Sequence, residues 1–428
     1  MSEASITEGA QAMAADAFPL LPPAKEIPST FVASIKSWCV ALSCSVVIPS
    51  DEVEGGPPAK RKAPPVRNDY YVVAHSQRIT LDDPKKYLNT FSIEPVNPAR
   101  SAPPPAVVLH GYGAGLGFFF QNFPALGRWA GTRGASVHAV DWLGMGRSAR
   151  VPFTVKAKRN DIDGRVREAE SFFVESLEEW RQKMGLEKMT LVGHSLGGYL
   201  SVVYALRYPT RVSKLILVSP AGVPRDPNST ETPSREIDST SGSDSDSAEP
   251  ASQGKVDEMR SDQRTEQRKQ SNARKLFTYL WEEGWSPFQV VRSTLFWGPM
   301  LVGKYSSRRF IGLSLDDTKA MHEYILNITL AKGSGEYSHL LAPGAHARRP
   351  IVDRIHDVKV PVTFIYGDQD WMDPQGGYDS VENLRKAGNG KGRMYIVPHA
   401  GHHVYLDNPK ATNDLIVKEL DRDFPQVV

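Results

Sequence analysis

The feature that most constrains this chain is Gly193-His-Ser-Leu-Gly, set between the apolar run Met189-Thr-Leu-Val and a helical pattern from Leu196 to Tyr208 that Pro209 stops. A G-x-S-x-G pentapeptide between a strand and a helix puts its serine on a strained turn. The small flanking residues leave room for that backbone, and Oγ stands exposed at the end of the sheet. Ser195 is therefore the candidate nucleophile.

The surrounding pattern fits such a turn. Short apolar runs at Ala106-Val-Val-Leu, Val137-His-Ala-Val, Lys214-Leu-Ile-Leu-Val, Val360-Pro-Val-Thr-Phe-Ile-Tyr and Arg393-Met-Tyr-Ile-Val read as strands buried on both faces. Asp69-Tyr-Tyr-Val-Val and Lys86 to Ile93 read as two further strands. Phe173, Leu177, Trp180 and Met184 share one helical face, which Gly185 ends; Asn408 and Pro409 open a last helix. Strands alternating with helices predict a mostly parallel, doubly wound α/β sheet.

The pattern is interrupted. Residues 1–66 read as a tail and linker, 67–224 as the first part of the core, and 225–275 as a disordered insertion rich in Ser, Asp, Glu, Lys and Arg. Residues 276–350 read as an aromatic helical cap, and 351–428 as the second part of the core. Phe31 to Ile48 is an amphipathic surface segment or a packed helix.

Composition excludes several classes. Lys plus Arg total 51 against 49 Asp plus Glu, so no nucleic-acid footprint is expected. Cys39 and Cys44 are the only cysteines, which argues against a disulfide scaffold and for an intracellular chain.

A serine nucleophile needs a base, an acid to orient that base, and donors for the developing oxyanion. His402, in Ala400-Gly-His-His-Val after the last strand, is preferred to His403 as the base. The acid belongs after the preceding strand, where Asp368, Asp370 and Asp373 compete. Asp370 is favoured, Asp373 is the rival, and Asp368 reads as a turn residue. The backbone N–H groups of Leu196 and Tyr112 are the oxyanion candidates. His110 and Asp141 read as structural. Phe118, Phe119 and Phe120, with Trp281, Trp285, Phe288, Phe296 and Trp297 of the cap, could receive acyl chains or form a core of their own.

His110-Gly-Tyr-Gly-Ala-Gly, Asp141-Trp-Leu-Gly-Met-Gly-Arg-Ser, Gly193-His-Ser-Leu-Gly-Gly-Tyr and His402-His-Val-Tyr-Leu-Asp together resemble the α/β-hydrolase-domain proteins 4 and 5 branch, which includes the fungal cardiolipin-specific deacylase type. The likeness runs from about Tyr70 to the C-terminus, apart from the insertion. It implies an α/β-hydrolase fold with an inserted cap and a carboxylic ester hydrolase needing no cofactor or metal. The implied substrates are glycerophospholipids or lysophospholipids, met at a peripheral membrane surface. Acyl transfer to a lysophospholipid and a non-catalytic lipase co-activator are the alternatives within the branch. Mitochondrion, lipid droplet and cytoplasm stay open as locations. The branch varies at the acid, so the resemblance does not decide between Asp370 and Asp373. It also supplies an H-x-x-x-x-D spacing, His402 to Asp407, in which Asp407 reads as a helix cap or a surface charge.

Overall fold

A computed structural model of the chain describes residues 72–158, 160–225, 249–250, 252–266, 321–322, 324–325, 328, 339–342 and 345–424. The tail, the Phe31–Ile48 segment, both cysteines and the cap aromatics from Trp281 to Trp297 lie outside the described residues.

Among the described residues nine strands form one sheet: β1 (Val72–Thr80), β2 (Tyr87–Pro95), β3 (Ala106–Leu109), β4 (Val137–Val140), β5 (Met189–His194), β6 (Val212–Val218), β7 (Glu249–Pro250), β10 (Val362–Gly367) and β11 (Gly392–Val397). Their spatial order is β1-β2-β4-β3-β5-β6-β10-β11-β7. The five central pairings, from β4–β3 to β10–β11, are parallel, while β1–β2, β2–β4 and β11–β7 are antiparallel. A separate two-stranded ribbon pairs β8 (Leu341–Ala342) with β9 (His346–Ala347).

The alternation of side chains along each strand feeds two apolar layers. Val107 and Leu109 of β3 face one layer, where Phe173, Leu177 and Trp180 of α2 (Ile162–Lys183) meet Leu196 and Leu200 of α3 (Leu196–Arg207). Ala106 and Val108 face the other, against Leu126 and Trp129 of α1 (Phe123–Arg133) and Leu415 and Ile416 of α7 (Pro409–Asp421). Helices on both faces of the sheet are the expected doubly wound arrangement. Asn408 opens α7 as expected, its side chain accepting from the Ala411 backbone N–H at 3.1 Å. α2 ends before Gly185, which sits at φ +66°, but it begins well upstream of Phe173, at the Asp161 cap, whose carboxylate accepts from Gly164 N–H at 2.8 Å.

Of the strand expected over residues 69–73, Val72 and Val73 open β1, residues 69–71 lie outside the described residues, and the strand runs on to Thr80. Its burial alternates weakly because it is the outermost described strand at its end of the sheet. The segment expected to be disordered is ordered in part: β7 adds to β11, and α4 (Gln253–Glu266) packs against α5 (Gln375–Lys386). Val256 and Met259, three residues apart on α4, are both buried. Two apolar residues in a charged stretch suffice to dock a helix on which Gln253 and Asp257 stay exposed, although the segment's average composition points to disorder.

Candidate active site

Ser195 stands between β5 and α3 at φ +51°, ψ −118°, a conformation that costs a non-glycine residue about 1–3 kcal/mol and persists only where its surroundings impose it. Here backbone imposes it from two sides. Ser195 N–H donates to the Val218 carbonyl at 3.0 Å, and its own carbonyl accepts from Ala221 N–H at 3.1 Å. The flanking glycines are demanded by close approach. A Cβ on Gly193 would lie 2.5 Å from the Gly197 carbonyl oxygen, and one on Gly197 would lie 2.4 Å from that of Leu109.

His402 Nε2 lies 3.1 Å from Ser195 Oγ, and its Nδ1 lies 3.2 Å from Asp370 Oδ1. The structure thus brings together three of the residues singled out in the sequence, on the ends of β5, β10 and β11. Asp370 is 2% exposed and His402 9%, so the pair works in a water-poor setting where a charge-assisted hydrogen bond is strong. Asp373 is directed elsewhere. Its Oδ1 accepts from Gln375 N–H at 2.9 Å in an Asx turn at the start of α5, and it pairs with Arg260 of α4 at 3.3 Å. Asp368 holds the neighbouring loop, accepting from His399 N–H and Ala400 N–H, each at 3.0 Å.

Leu196 is the first residue of α3, where a helix leaves its backbone N–H without an intrahelical acceptor. The loop after β3, which carries Tyr112, passes beside the nucleophile: a Cβ on Gly111 would lie 2.8 Å from that of Ser195. Buried His110 fixes this loop. Its Nδ1–H donates to the Gly111 carbonyl at 2.7 Å while Nε2 accepts from Trp142 N–H at 3.1 Å. Burial lowers the pKa of His110, which suits this neutral tautomer. Asp141 is structural in the same sense. One of its carboxylate oxygens accepts from Leu116 N–H, and the other from Arg147 N–H and the Asn89 amide. Phe118 and Phe119 are buried, and Phe119 stacks on Tyr405 with centroids 4.3 Å apart. Both rings belong to the core formed with α6 (Val404–Asp407).

Three contributors escaped the sequence reading, and a fourth, Asp407, was given another role there. His194, the variable residue before the serine, donates Nε2–H to the His402 carbonyl at 3.0 Å and ties the base loop to the nucleophile's strand. Trp371 sets its ring 4.7 Å from that of His402. Asp407 accepts from Gly401 N–H at 2.9 Å, so it braces the base loop, which neither a cap nor a surface charge describes. Tyr324 reaches the β3 loop from the insertion, accepting from Gly117 N–H at 3.3 Å. For Asp407 the H-x-x-x-x-D spacing was a visible signal; the other three had none beyond proximity in the fold.

Residues 104–409 match the family model described as the alpha/beta hydrolase fold. The chain is 35% identical over 347 residues to a probable 1-acylglycerol-3-phosphate O-acyltransferase of Oryza sativa subsp. japonica, covering 79% of this chain and 71% of that one. It is 33% identical over 331 residues to the (lyso)-N-acylphosphatidylethanolamine lipase of Homo sapiens, covering 76% and 82%. It is 32% identical over 324 residues to the Homo sapiens 1-acylglycerol-3-phosphate O-acyltransferase ABHD5, covering 74% and 77%. A serine on a strand-to-helix elbow, within reach of a histidine that an aspartate faces, defines the class, and the relatives narrow it: the chain belongs to the α/β-hydrolase fold family, in the branch of the α/β-hydrolase-domain proteins 4 and 5.

Proposed function

We propose that this chain is a serine hydrolase that cleaves acyl esters of glycerophospholipids or lysophospholipids through an acyl intermediate on Ser195. The observation that carries the reading is the hydrogen-bonded line from Ser195 Oγ through His402 to Asp370. In the first half-reaction Oγ attacks the acyl carbonyl while its proton passes to His402 Nε2. The negative charge moves to the carbonyl oxygen, which the N–H groups of Leu196 and Tyr112 receive. Asp370 faces Nδ1 and stabilises the imidazolium. Collapse expels the glycerol oxygen, which takes the proton from Nε2 and leaves an ester on Ser195. Water, deprotonated by His402, then releases the fatty acid and restores the serine.

The substrate class is supported by the names of the relatives, each of which carries a phosphorylated glycerolipid. Two of the three relatives above are named acyltransferases, which supports a second reading: a lysophospholipid hydroxyl replaces water in the second half-reaction, with the same residues in the same roles. A peripheral membrane setting inside the cell goes with either reading. Among the described residues no helix is long and apolar enough to cross a bilayer.

A fluorophosphonate probe tests the nucleophile: the wild-type chain should be labelled and Ser195→Ala should not, and equal labelling of both removes the proposal. Long-chain phospholipid in vesicles should turn over faster than a short soluble ester; a strong preference for the soluble ester with no vesicle binding removes the lipid assignment. Labelled lysophospholipid added as acceptor separates the two readings, since hydrolysis alone leaves it unacylated.

A further inference from the structure

The loop after β3 is gripped from three directions. Asp141 holds it from the sheet side through Leu116 N–H at 2.8 Å. The segment after His402 holds it through rings, with Phe118 facing His403 at 6.0 Å and Phe119 facing Tyr405 at 4.3 Å. The third grip comes from the insertion. Met321, His322, Tyr324, Ile325 and Ile328 are helical and buried, and all but His322 belong to the same apolar layer as Phe118 and Phe119. Tyr324 reaches furthest into the loop, into a slot lined by two glycines. A Cβ on Gly115 would lie 1.9 Å from the Tyr324 hydroxyl oxygen, and one on Gly117 would lie 3.1 Å from Cζ. The hydroxyl accepts Gly117 N–H at 3.3 Å, and the ring meets the edge of Phe118 at 5.9 Å. Burial, reinforced by the Asp141 carboxylate, pushes the phenol well above its ordinary pKa and keeps it a neutral hydroxyl.

We propose that Tyr324 is a positioning residue that makes the oxyanion loop, and with it turnover, depend on the seating of the inserted segment against the core. The proposal rests on the serine-hydrolase reading. Tyr112 and Gly115 are three residues apart on one loop, and Gly111 already touches the nucleophile's side chain space. Oxyanion donors act only when preorganised, and displacements near 1 Å cost about 10²-fold in rate. A phenol that fills the Gly115–Gly117 slot removes the freedom by which Tyr112 N–H would drift. Without the phenol the loop loses one of its three supports while Ser195, His402 and Asp370 keep theirs.

The test is a double-mutant cycle on the full chain, with turnover expressed per site titrated by a fluorophosphonate. Tyr324→Phe keeps the ring and removes the acceptor for Gly117; kcat should fall by roughly threefold to tenfold with KM unchanged. Tyr324→Ala empties the slot and should lower kcat by about 10²-fold. Gly115→Ala alone should be comparably damaging, because the new methyl takes the place of the hydroxyl. Combined with Tyr324→Ala it should add little, since the hydroxyl is gone and only Asp141 Oδ1, 3.1 Å from the new methyl, is left to give way. A purely structural role would lower the melting temperature and leave turnover per titrated site at the wild-type value, which overturns the proposal, as does additivity of the two alanine substitutions or an effect confined to KM. Ser195→Ala is run alongside. Its loss of activity together with an additive cycle overturns the Tyr324 proposal alone, whereas retained activity overturns the serine reading and this proposal with it.

Discussion

Ser195 stands on a turn whose immediate neighbours are backbone atoms, whereas His402 and Asp370 stand on loops braced by side chains. Around the serine, the carbonyls of Val218, Leu109 and Gly197 and the N–H of Ala221 define the available space. Around the histidine, Asp368 holds His399 and Ala400, Asp407 holds Gly401, and the Asn408 amide donates to the Pro398 carbonyl at 3.0 Å. Backbone walls do not adjust, so the first half should tolerate no added atom. Side-chain braces can be removed one at a time, so the second half should weaken in steps.

The largest expected effect tests the relay itself. Asp370→Asn preserves shape but removes the charge facing His402 Nδ1, and turnover should fall by about 10⁴-fold with the fold intact. Asp373→Asn should leave turnover near the wild-type value and cost about 1 kcal/mol of stability through the weakened Asx turn. Steady-state kinetics on the two variants decide the matter, and the reverse ranking would give the acid's role to Asp373. Next comes the rigid half. Gly197→Ala forces a methyl against the Leu109 carbonyl; it should lower turnover by about 10²-fold or more and destabilise the chain by about 1–3 kcal/mol. Near-normal kinetics there would erase the contrast between the halves. Asp407→Asn should cost about tenfold in kcat with the melting temperature little changed, because one brace of the base loop is weakened while Asp368 and Asn408 remain. An effect as large as that of Asp370→Asn would show Asp407 to be more than a brace. The smallest effect belongs to Arg260→Ala. Its ion pair with Asp373 is about one-third exposed at both ends, so the loss should be under about 1 kcal/mol and turnover should not change.

The sheet and the serine turn were legible because buried parallel strands are written as short apolar runs and the elbow as two glycines at fixed spacing. His402 was legible from its place after the last strand. The acid was legible only as a preference for Asp370 over Asp373, because Asp368, Asp370 and Asp373 lie within six residues of one polar loop, and only the direction of each carboxylate distinguishes a turn, a partner for His402 and an Asx turn. Tyr324 was illegible for another reason: its partner Gly117 is 207 residues away, and no local pattern encodes such a contact. β7 and α4 were missed because two apolar side chains in a charged stretch do not alter its average composition.

β7 has a consequence for behaviour in concentrated solution. Its two described residues set Glu249 opposite Ile396 and Pro250 opposite Tyr395. A proline has no N–H to offer, so a strand that carries one at this place is a poor template for another chain. The insertion thereby blunts the β11 side of the sheet, where a longer apolar strand would invite edge-to-edge association. Trimming it back to a tight loop should leave β11 uncovered and the protein prone to self-association at high concentration, even if every residue around Ser195 stays in place.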